Sequence, residues 1–310
     1  MSKVVDVILL NWNASHDTVL SFEKIMCLSY LPDKIVIVDN ASEIEDYNYL
    51  VDYFKKSYIF SKKSTNYAEL LISKKVVIVR SIYNKGYAGG NNLGIKISRE
   101  LNNPDFFWIL NNDTQPHVEA FKELLLVADE NIDSFVSSVT LSFDGLIEAY
   151  GGGRYYPILG KSKLLHKRKK YSPCLPISIN YLMGASLLVP KSIVDDVGLM
   201  DECFFMYSEE IDWQWRAINK GYKIQVAPKS IVYHAGSSST ESYQYHFYRN
   251  RAAIMFNSIY FGCLYSIVSG LVLSVYTAVR YAFKPKLVIF GIKGCFQGVC
   301  KKRKDKMLPL

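Results

Sequence analysis

The segment Trp108-Ile109-Leu110-Asn111-Asn112-Asp113-Thr114 passes from apolar residues straight into a polar, acidic corner. No other stretch constrains the fold as much. A buried strand that ends on a carboxylate places it at the carboxyl edge of an open α/β sheet, where such sheets bind their ligands. A second apolar run, Ile35-Val36-Ile37-Val38, ends the same way in Asp39-Asn40-Ala41-Ser42. Between the two lies Asn84-Lys85-Gly86-Tyr87-Ala88-Gly89-Gly90-Asn91-Asn92-Leu93-Gly94, a glycine-rich entry to a helix. Two acidic strand ends and one glycine-rich turn suit a nucleotide-diphosphate ligand with a divalent cation.

The surrounding pattern extends this reading. Short apolar runs at 4–10, 35–38, 76–79 and 106–110 are the signature of buried parallel strands. Helical spacing fills the gaps: Val19, Phe22, Ile25 and Met26 behind a cap at Ser15 or Asp17, then 44–54, then 90–99. This β-α-β-α-β-α-β order predicts a doubly wound, mainly parallel sheet, with 58–70 as a polar excursion. Further along, a helix to about 130 and a strand at 134–141 are expected, then a long mobile loop over 144–178. Order returns at 182–189, in a helix from Ser192, at 204–207, and in a helix from Glu209 to Lys220 that Gly221 terminates. Strands at 223–226 and 231–234 complete a domain of residues 1–250. Its halves are about 1–115 for the nucleotide and 116–250 for the acceptor, and an apolar helical tail occupies 251–310.

The chain has 310 residues, enough for a sizeable core, and a formal net charge of +8. That charge points to anionic partners and concentrates at Lys161, Lys163, Lys167, Arg168, Lys169 and Lys170, and again at Lys301, Lys302, Arg303 and Lys304. Taken singly, each run also reads as a solvated surface. Six cysteines without metal-site spacing (Cys27, Cys174, Cys203, Cys263, Cys295, Cys300) are expected to be buried thiols in a reducing compartment. An apolar strand directly after Met1-Ser2-Lys3 leaves no signal-peptide pattern, so the start is expected to be cytoplasmic. Residues 252–279 carry no charge, yet serines, glycines and tyrosines interrupt them. That favours an interfacial or re-entrant helical pair over a true span. The non-membrane alternative buries the tail in a homodimer interface.

Read in order, the blocks resemble family 2 inverting glycosyltransferases of the GT-A fold, in particular the rhamnosyl- and galactofuranosyl-transferase-like branch. The resemblance rests on Val38-Asp39-Asn40-Ala41-Ser42, Asn84 through Asn91, Leu110-Asn111-Asn112-Asp113, Gly151-Gly152-Gly153, Gly184-Ala185, Gly198-Leu199-Met200-Asp201-Glu202, Ser208-Glu209-Glu210-Ile211-Asp212-Trp213 and Val232-Tyr233-His234.

This resemblance implies roles. Asp39 would accept from the ring N–H of a pyrimidine, with Asn11, Asn84, Gly86, Gly89, Asn91, Asn112 and Gly184 around a dTDP- or UDP-sugar. Asp113 would bind Mn²⁺ or Mg²⁺; the family's fuller motif has two aspartates, and here the first acidic position is Asn111. His234 is the candidate second ligand. The general base falls on Glu210, with Glu209 the alternative, because a cluster of acids raises the proton affinity of at least one. Asp212, Trp213 and Arg216 would shape the acceptor side, although Arg216 equally suits an i, i+4 pair with Asp212. In Tyr248-Arg249-Asn250-Arg251, arginine either clamps phosphate or forms an ordinary helix-surface pair.

The implied reaction moves a sugar, rhamnose foremost, to a glycan or lipid-linked saccharide in bacterial surface-polysaccharide synthesis. It would occur at the cytoplasmic face of the inner membrane, against anionic lipid. Two other classes compete: a nucleotidyltransferase, which would need a triphosphate-binding loop not evident near the N-terminus, and a non-catalytic membrane- or glycan-binding module. No recognised nucleic-acid motif accompanies the lysine cluster.

Overall fold

The computed structural model describes residues 3–65, 68–234 and 242–303. In chain order the first half comprises β1 (Val5–Asn11), α1 (Ser15–Met26), β2 (Lys34–Asp39), α2 (Ile44–Lys55), β3 (Ser61–Ser64), β4 (Ala68–Ile72), β5 (Val76–Ser81), α3 (Gly86–Leu101), β6 (Phe106–Asn111) and β7 (Thr114–Pro116). There follow α4 (Ala120–Glu130), β8 (Ser134–Leu141), β9 (Ile147–Tyr150), β10 (Gly152–Tyr156), β11 (Lys161–Leu164), β12 (Tyr181–Leu182), β13 (Ser186–Pro190), α5 (Lys191–Val197), α6 (Glu209–Ile218) and β14 (Lys223–His234). The tail forms α7 (Tyr243–Phe261), α8 (Cys263–Arg280) and α9 (Pro285–Gly298).

One mixed sheet runs β11-β10-β9-β8-β13-β6-β1-β2-β5-β4-β3. Its centre, β6-β1-β2-β5, is parallel. Val5, Val7 and Leu9 project to one face, against Phe22 and Ile25 of α1, Phe54 of α2 and Phe121 of α4. Ile8, Val36 and Val38 project to the other, with Leu93 of α3 and Trp213 of α6. Both faces are covered, which is why these strands read as unbroken apolar runs. The antiparallel strand β13 then joins β6 to β8, so every central strand is flanked.

Several expectations need correction. Residues 144–178 are not simply a loop: β9, β10 and β11 pair antiparallel there and extend the sheet. Glycine and lysine, which look like loop composition, sit at an edge where Gly152 and Gly153 leave room for the crossing backbones of Tyr181 and Lys163. The excursion at 58–70 contributes to the hairpin β3–β4 at the other edge. Strands 223–226 and 231–234 are one strand, β14, with an irregularity between Ala227 and Ile231. The first helix has Ala14 at its cap, not Ser15 or Asp17; the Ser15 amide donates instead to Asp46.

The tail is helical, as expected, and its described residues divide into three helices. Its uncharged stretch is divided at Gly262, and the part before it belongs to α7, which starts before residue 250 and buries Phe247, Ala252, Met255 and Phe256. Only α8 is long and apolar enough to cross a membrane among the described residues, with a mean hydropathy of 1.5 and 28% of its length buried. Leu264, Val275 and Val279 on α8, with Phe283 after it, are strongly exposed. Helices α8 and α9 return antiparallel, which brings Cys263 and Cys300 into a disulfide. Cys27 and Cys174 are exposed, leaving Cys203 and Cys295 as the buried thiols.

Candidate active site

The glycine-rich turn is locked before any ligand is considered. The Asn40 side chain donates to the Asn84 side-chain and Gly86 main-chain oxygens and accepts from the Lys85 amide. Helix α3 starts at Gly86, four residues earlier than the spacing predicts. Gly86 has φ of +68°, and a Cβ there would lie 2.0 Å from the Phe205 carbonyl oxygen. Its neighbour Tyr87 donates its amide to that same carbonyl at 2.8 Å. A Cβ at Gly89 would crowd Lys85 and approach the Glu202 carboxylate. The close approach these two glycines permit is therefore made by the chain's own segment 202–205.

Asp39, at the end of β2, is wholly enclosed. Asn11 donates to it at 3.1 Å, the Ser42 amide at 3.4 Å, and Arg80 lies 3.8 Å away. Burial raises its proton affinity, and the bonds from Ser42 and Asn11 oppose that. Asn11 is itself spent on Asp39, Ser42 and Asp46 as donor, and on Thr18 as acceptor. Asn112 donates to Thr18 at 2.9 Å. Asn11, Asn84 and Asn112 thus tie loops together at the sheet edge.

The opposite arrangement surrounds Glu209 and Glu210. Tyr207 and Ser208 both have left-handed backbone, φ of +71° and +66°, a costly conformation for residues with side chains. That double kink turns the chain into α6 with both glutamates in its first turn. Segment 200–205 is held from behind, since Asn92 bonds the Met200 main chain and Glu202. Gln214 locks α6 to β12 through both polar groups of Leu182. Gly184, next along, admits the Tyr87 hydroxyl and the Glu210 side chain on its bare side. Tyr87 reaches the Asn111 side chain at 3.1 Å and the Gly184 carbonyl at 3.0 Å. Burial, then the charges of Glu209, Glu210 and Asp113, hold its proton firmly.

Burial pushes the Glu210 carboxyl up to about 7, against lowering bonds from its own and the Ile211 amides. Glu209 is likewise raised, by burial and then by the charge of Glu210. One carboxylate oxygen of each glutamate is buried without a hydrogen-bond partner, as are Asp113 Oδ1 and Asn91 Oδ1. Buried acceptors of this kind cost stability unless something else meets them.

His234 reaches Asp113 because β14 pairs with β7, placing His234 opposite Thr114. Its Nε2 lies 3.1 Å from Asp113 Oδ2, and its Nδ1 lies 2.5 Å from Glu148 Oε2. Burial pulls the imidazole toward neutrality, but the bonds to Asp113 and Glu148 outweigh it and raise the imidazole to about 10. A carboxylate with an unpartnered oxygen beside an imidazole, itself oriented by a second carboxylate, fits a divalent cation. A cation and a proton would compete for Nε2. No group of three candidate ligands converges among the described residues, because Asp113 and Glu148 face opposite ring nitrogens. Substrate oxygens would complete the shell, as hard cations often require.

The structure therefore gathers Tyr87, Asn111, Asp113, Gly184, Glu209, Glu210 and His234 at one edge. The acceptor-side candidates Asp212, Trp213 and Arg216 are packed inward. Trp213 is fully buried against Phe135 and donates to the Gly198 carbonyl. Arg216 pairs with Asp212 and bonds the Val197 and Leu199 carbonyls. These residues fix α6 from its inner side. Sequence reasoning missed Glu148, and it quoted Tyr87 without giving it a role. It also placed Arg303 in a basic cluster directed at anionic partners. Arg303 bonds Asp201 and Asp212, close behind the Tyr207–Ser208 turn; Lys304 lies outside the described residues.

Residues 6–198 match the family model described as Glycosyl transferase family 2. The chain belongs to that family, and it is a glycosyltransferase. It is 27% identical over 231 residues to the low-salt glycan biosynthesis hexosyltransferase Agl10 of Haloferax volcanii, covering 70% of this chain and 73% of that protein. It is 23% identical over 208 residues to the dTDP-rhamnosyl transferase RfbF of Shigella flexneri, covering 64% and 68%. The fold also matches the mannosyltransferase PcManGT of Pyrobaculum calidifontis, solved with GDP-Man and Mn²⁺. There the TM-score is 0.60 at 11% identity, over 96% of this chain and 87% of that one.

Proposed function

We propose that this glycosyltransferase moves a sugar from a dTDP- or UDP-linked donor to a hydroxyl of a glycan or lipid-linked saccharide, with inversion at the anomeric carbon. The observation that carries the reading is the set of unpartnered buried oxygens on Glu209, Glu210 and Asp113 around Tyr87 and Gly184. A carboxylate raised to about 7 is matched to a base working near neutrality. Glu210 takes the proton of the acceptor hydroxyl as that oxygen bonds to the anomeric carbon. The bond from that carbon to the donor phosphate breaks, and the nucleoside diphosphate leaves from the opposite face. Asp113 and His234 would hold Mn²⁺ or Mg²⁺, which supplies positive charge to the leaving phosphates. Glu148 orients His234. Asp39 and the Asn40–Asn84 clamp shape the side of the pocket assigned to the base.

The similarity to RfbF supports rhamnose from dTDP-rhamnose as the transferred group, in the synthesis of a bacterial surface polysaccharide. The exposed apolar face of α8 supports attachment to the cytoplasmic face of the inner membrane, with residues 1–250 as the catalytic domain. The test is thermal stabilisation by a panel of nucleotide sugars with Mn²⁺, followed by the anomeric configuration of the product. Stabilisation by dTDP-rhamnose and an inverted product are expected. A retained configuration, or no response to any nucleotide sugar, would refute the reading.

A further inference from the structure

A cavity of about 850 Å³ opens between β10, β11, the turn that follows β11, and α7. Its walls carry Arg154, Lys163, Lys167, Lys169 and Arg249, and among the described residues no carboxylate lines it. Arg154 is fixed by the Ser178 side chain and main chain. Lys163, Lys167, Lys169 and Arg249 make no ion pair among the described residues. Five like charges around one opening repel each other, and an anion with several oxygens relieves that repulsion best. Arg249 belongs to α7 and the lysines to the sheet edge. The cavity is thus built from segments far apart in sequence, unlike a basic run along one exposed loop.

The two ends of the cavity differ. At one, Tyr245 packs edge-on against Tyr207, at 5.2 Å between ring centres, just before the glutamate pair. Buried Tyr181 lies near it, with Ser162, Glu210 and Tyr245 around its hydroxyl. At the other, beyond Tyr156, Ile158 and Leu159 are exposed and the Lys161 ammonium lies over the ring of Tyr276 on α8. That end meets the helix whose outer face is apolar. Carboxylates, then cations, then hydrocarbon is the order of groups along an acceptor built as sugar, phosphate and lipid.

We propose that this groove binds the diphosphate of a lipid-linked acceptor, holding its sugar toward Glu210 and its hydrocarbon chain along α8. The inference rests on the glycosyltransferase reading for the sugar end only; the diphosphate site stands on the groove itself. Arg249 and Lys163, on opposite walls, are the residues that should matter most.

The test uses the full chain in neutral-detergent micelles, with farnesyl diphosphate as probe, farnesol as its uncharged control, and UDP and dTDP with Mn²⁺ as donor-site controls. Wild type should bind farnesyl diphosphate. Lys163→Gln and Arg249→Gln should each weaken it roughly tenfold or more, the expected loss of a charge-assisted contact. Binding of farnesol, UDP and dTDP should not change, and Arg249→Lys should recover part of the affinity. Single Gln variants are used because each removes the charge and keeps a polar side chain, and unchanged nucleotide binding reports that the variant is folded.

Equal farnesyl diphosphate binding by wild type and both variants would overturn the proposal. So would a parallel loss of UDP and dTDP, which would place the groove in the donor site. Phosphatidylglycerol vesicles separate the remaining source of phosphate. If the variants lose vesicle binding and keep farnesyl diphosphate, the groove is a headgroup patch and the proposal falls. If wild type binds farnesyl diphosphate and no nucleotide, the donor assignment fails while the groove is supported.

Discussion

The acidic corners at the ends of β2 and β6 look alike in sequence and are treated oppositely by the fold. Asp39 is fully enclosed, and Asn11, Ser42 and Arg80 meet its oxygens. Asp113 keeps one buried oxygen without a partner, as do Glu209 and Glu210 across the site. The first corner is complete by itself and holds β1, β2, α1 and α2 in place. The second leaves acceptors for a ligand, a cation or water to meet. Burial of a carboxylate therefore does not mark a reacting group; burial with an unmet oxygen is the sharper sign.

The largest expected effect falls on the incomplete corner. Glu210→Gln should lower kcat by about 10²–10⁴, the usual worth of a general base, and leave donor affinity intact. Rapid-quench turnover and donor titration measure both. Comparable loss in Asn11→Ala, per folded molecule, would erase the distinction between the corners. The pH dependence is next in size. With Glu210 raised to about 7 from its ordinary 4.5, kcat/KM should rise about tenfold per pH unit below 7 and level above it. Between about 4.5 and 7 this carboxyl binds its proton more tightly in the folded chain than in the unfolded one. Its contribution to stability is therefore lost as pH rises through that window. Glu210→Gln should flatten the rate profile and leave the stability profile to Glu209, and a wild-type rate flat from pH 5 to 8 would exclude Glu210 as base.

Glu148→Ala should weaken Mn²⁺ binding roughly 10–100-fold by releasing His234, with Glu148→Gln milder. Isothermal titration measures it, and unchanged affinity would leave Glu148 as scaffold. Asn11→Ala should cost about 1–3 kcal/mol of stability, because Asp39 and Asp46 lose a buried donor. The denaturant midpoint should fall while turnover of the folded fraction changes little. The smallest effect belongs to Arg303→Ala. Arg303 is 39% exposed, and Arg216 still pairs with Asp212. Its stability loss should stay below about 1 kcal/mol by thermal melting.

Much of the scaffold was legible because its signals are local. The strand at 134–141 matched residue for residue, and the four parallel strands were found within a residue or two. Residues 144–178 failed because their glycines and lysines mimic a loop, whereas edge strands tolerate such residues when neighbours cover them. The apolar helical tail was legible as such, but its division was not, because apolar composition alone cannot separate a helix buried by protein, α7, from one facing outward, α8.

By itself the sequence determined the alternation of strands and helices, the acidic strand ends and the membership of the glutamate pair in one turn. Each of these depends on residues within a few positions of one another. Only the tertiary structure decided which acids are met and which are left open. His234 reaches Glu148 across 86 residues, and Arg303 reaches Asp212 across 91. Such pairings are set by strand register and by the return of the tail, where chain entropy is overcome by packing distributed over the whole fold. No local pattern records that outcome.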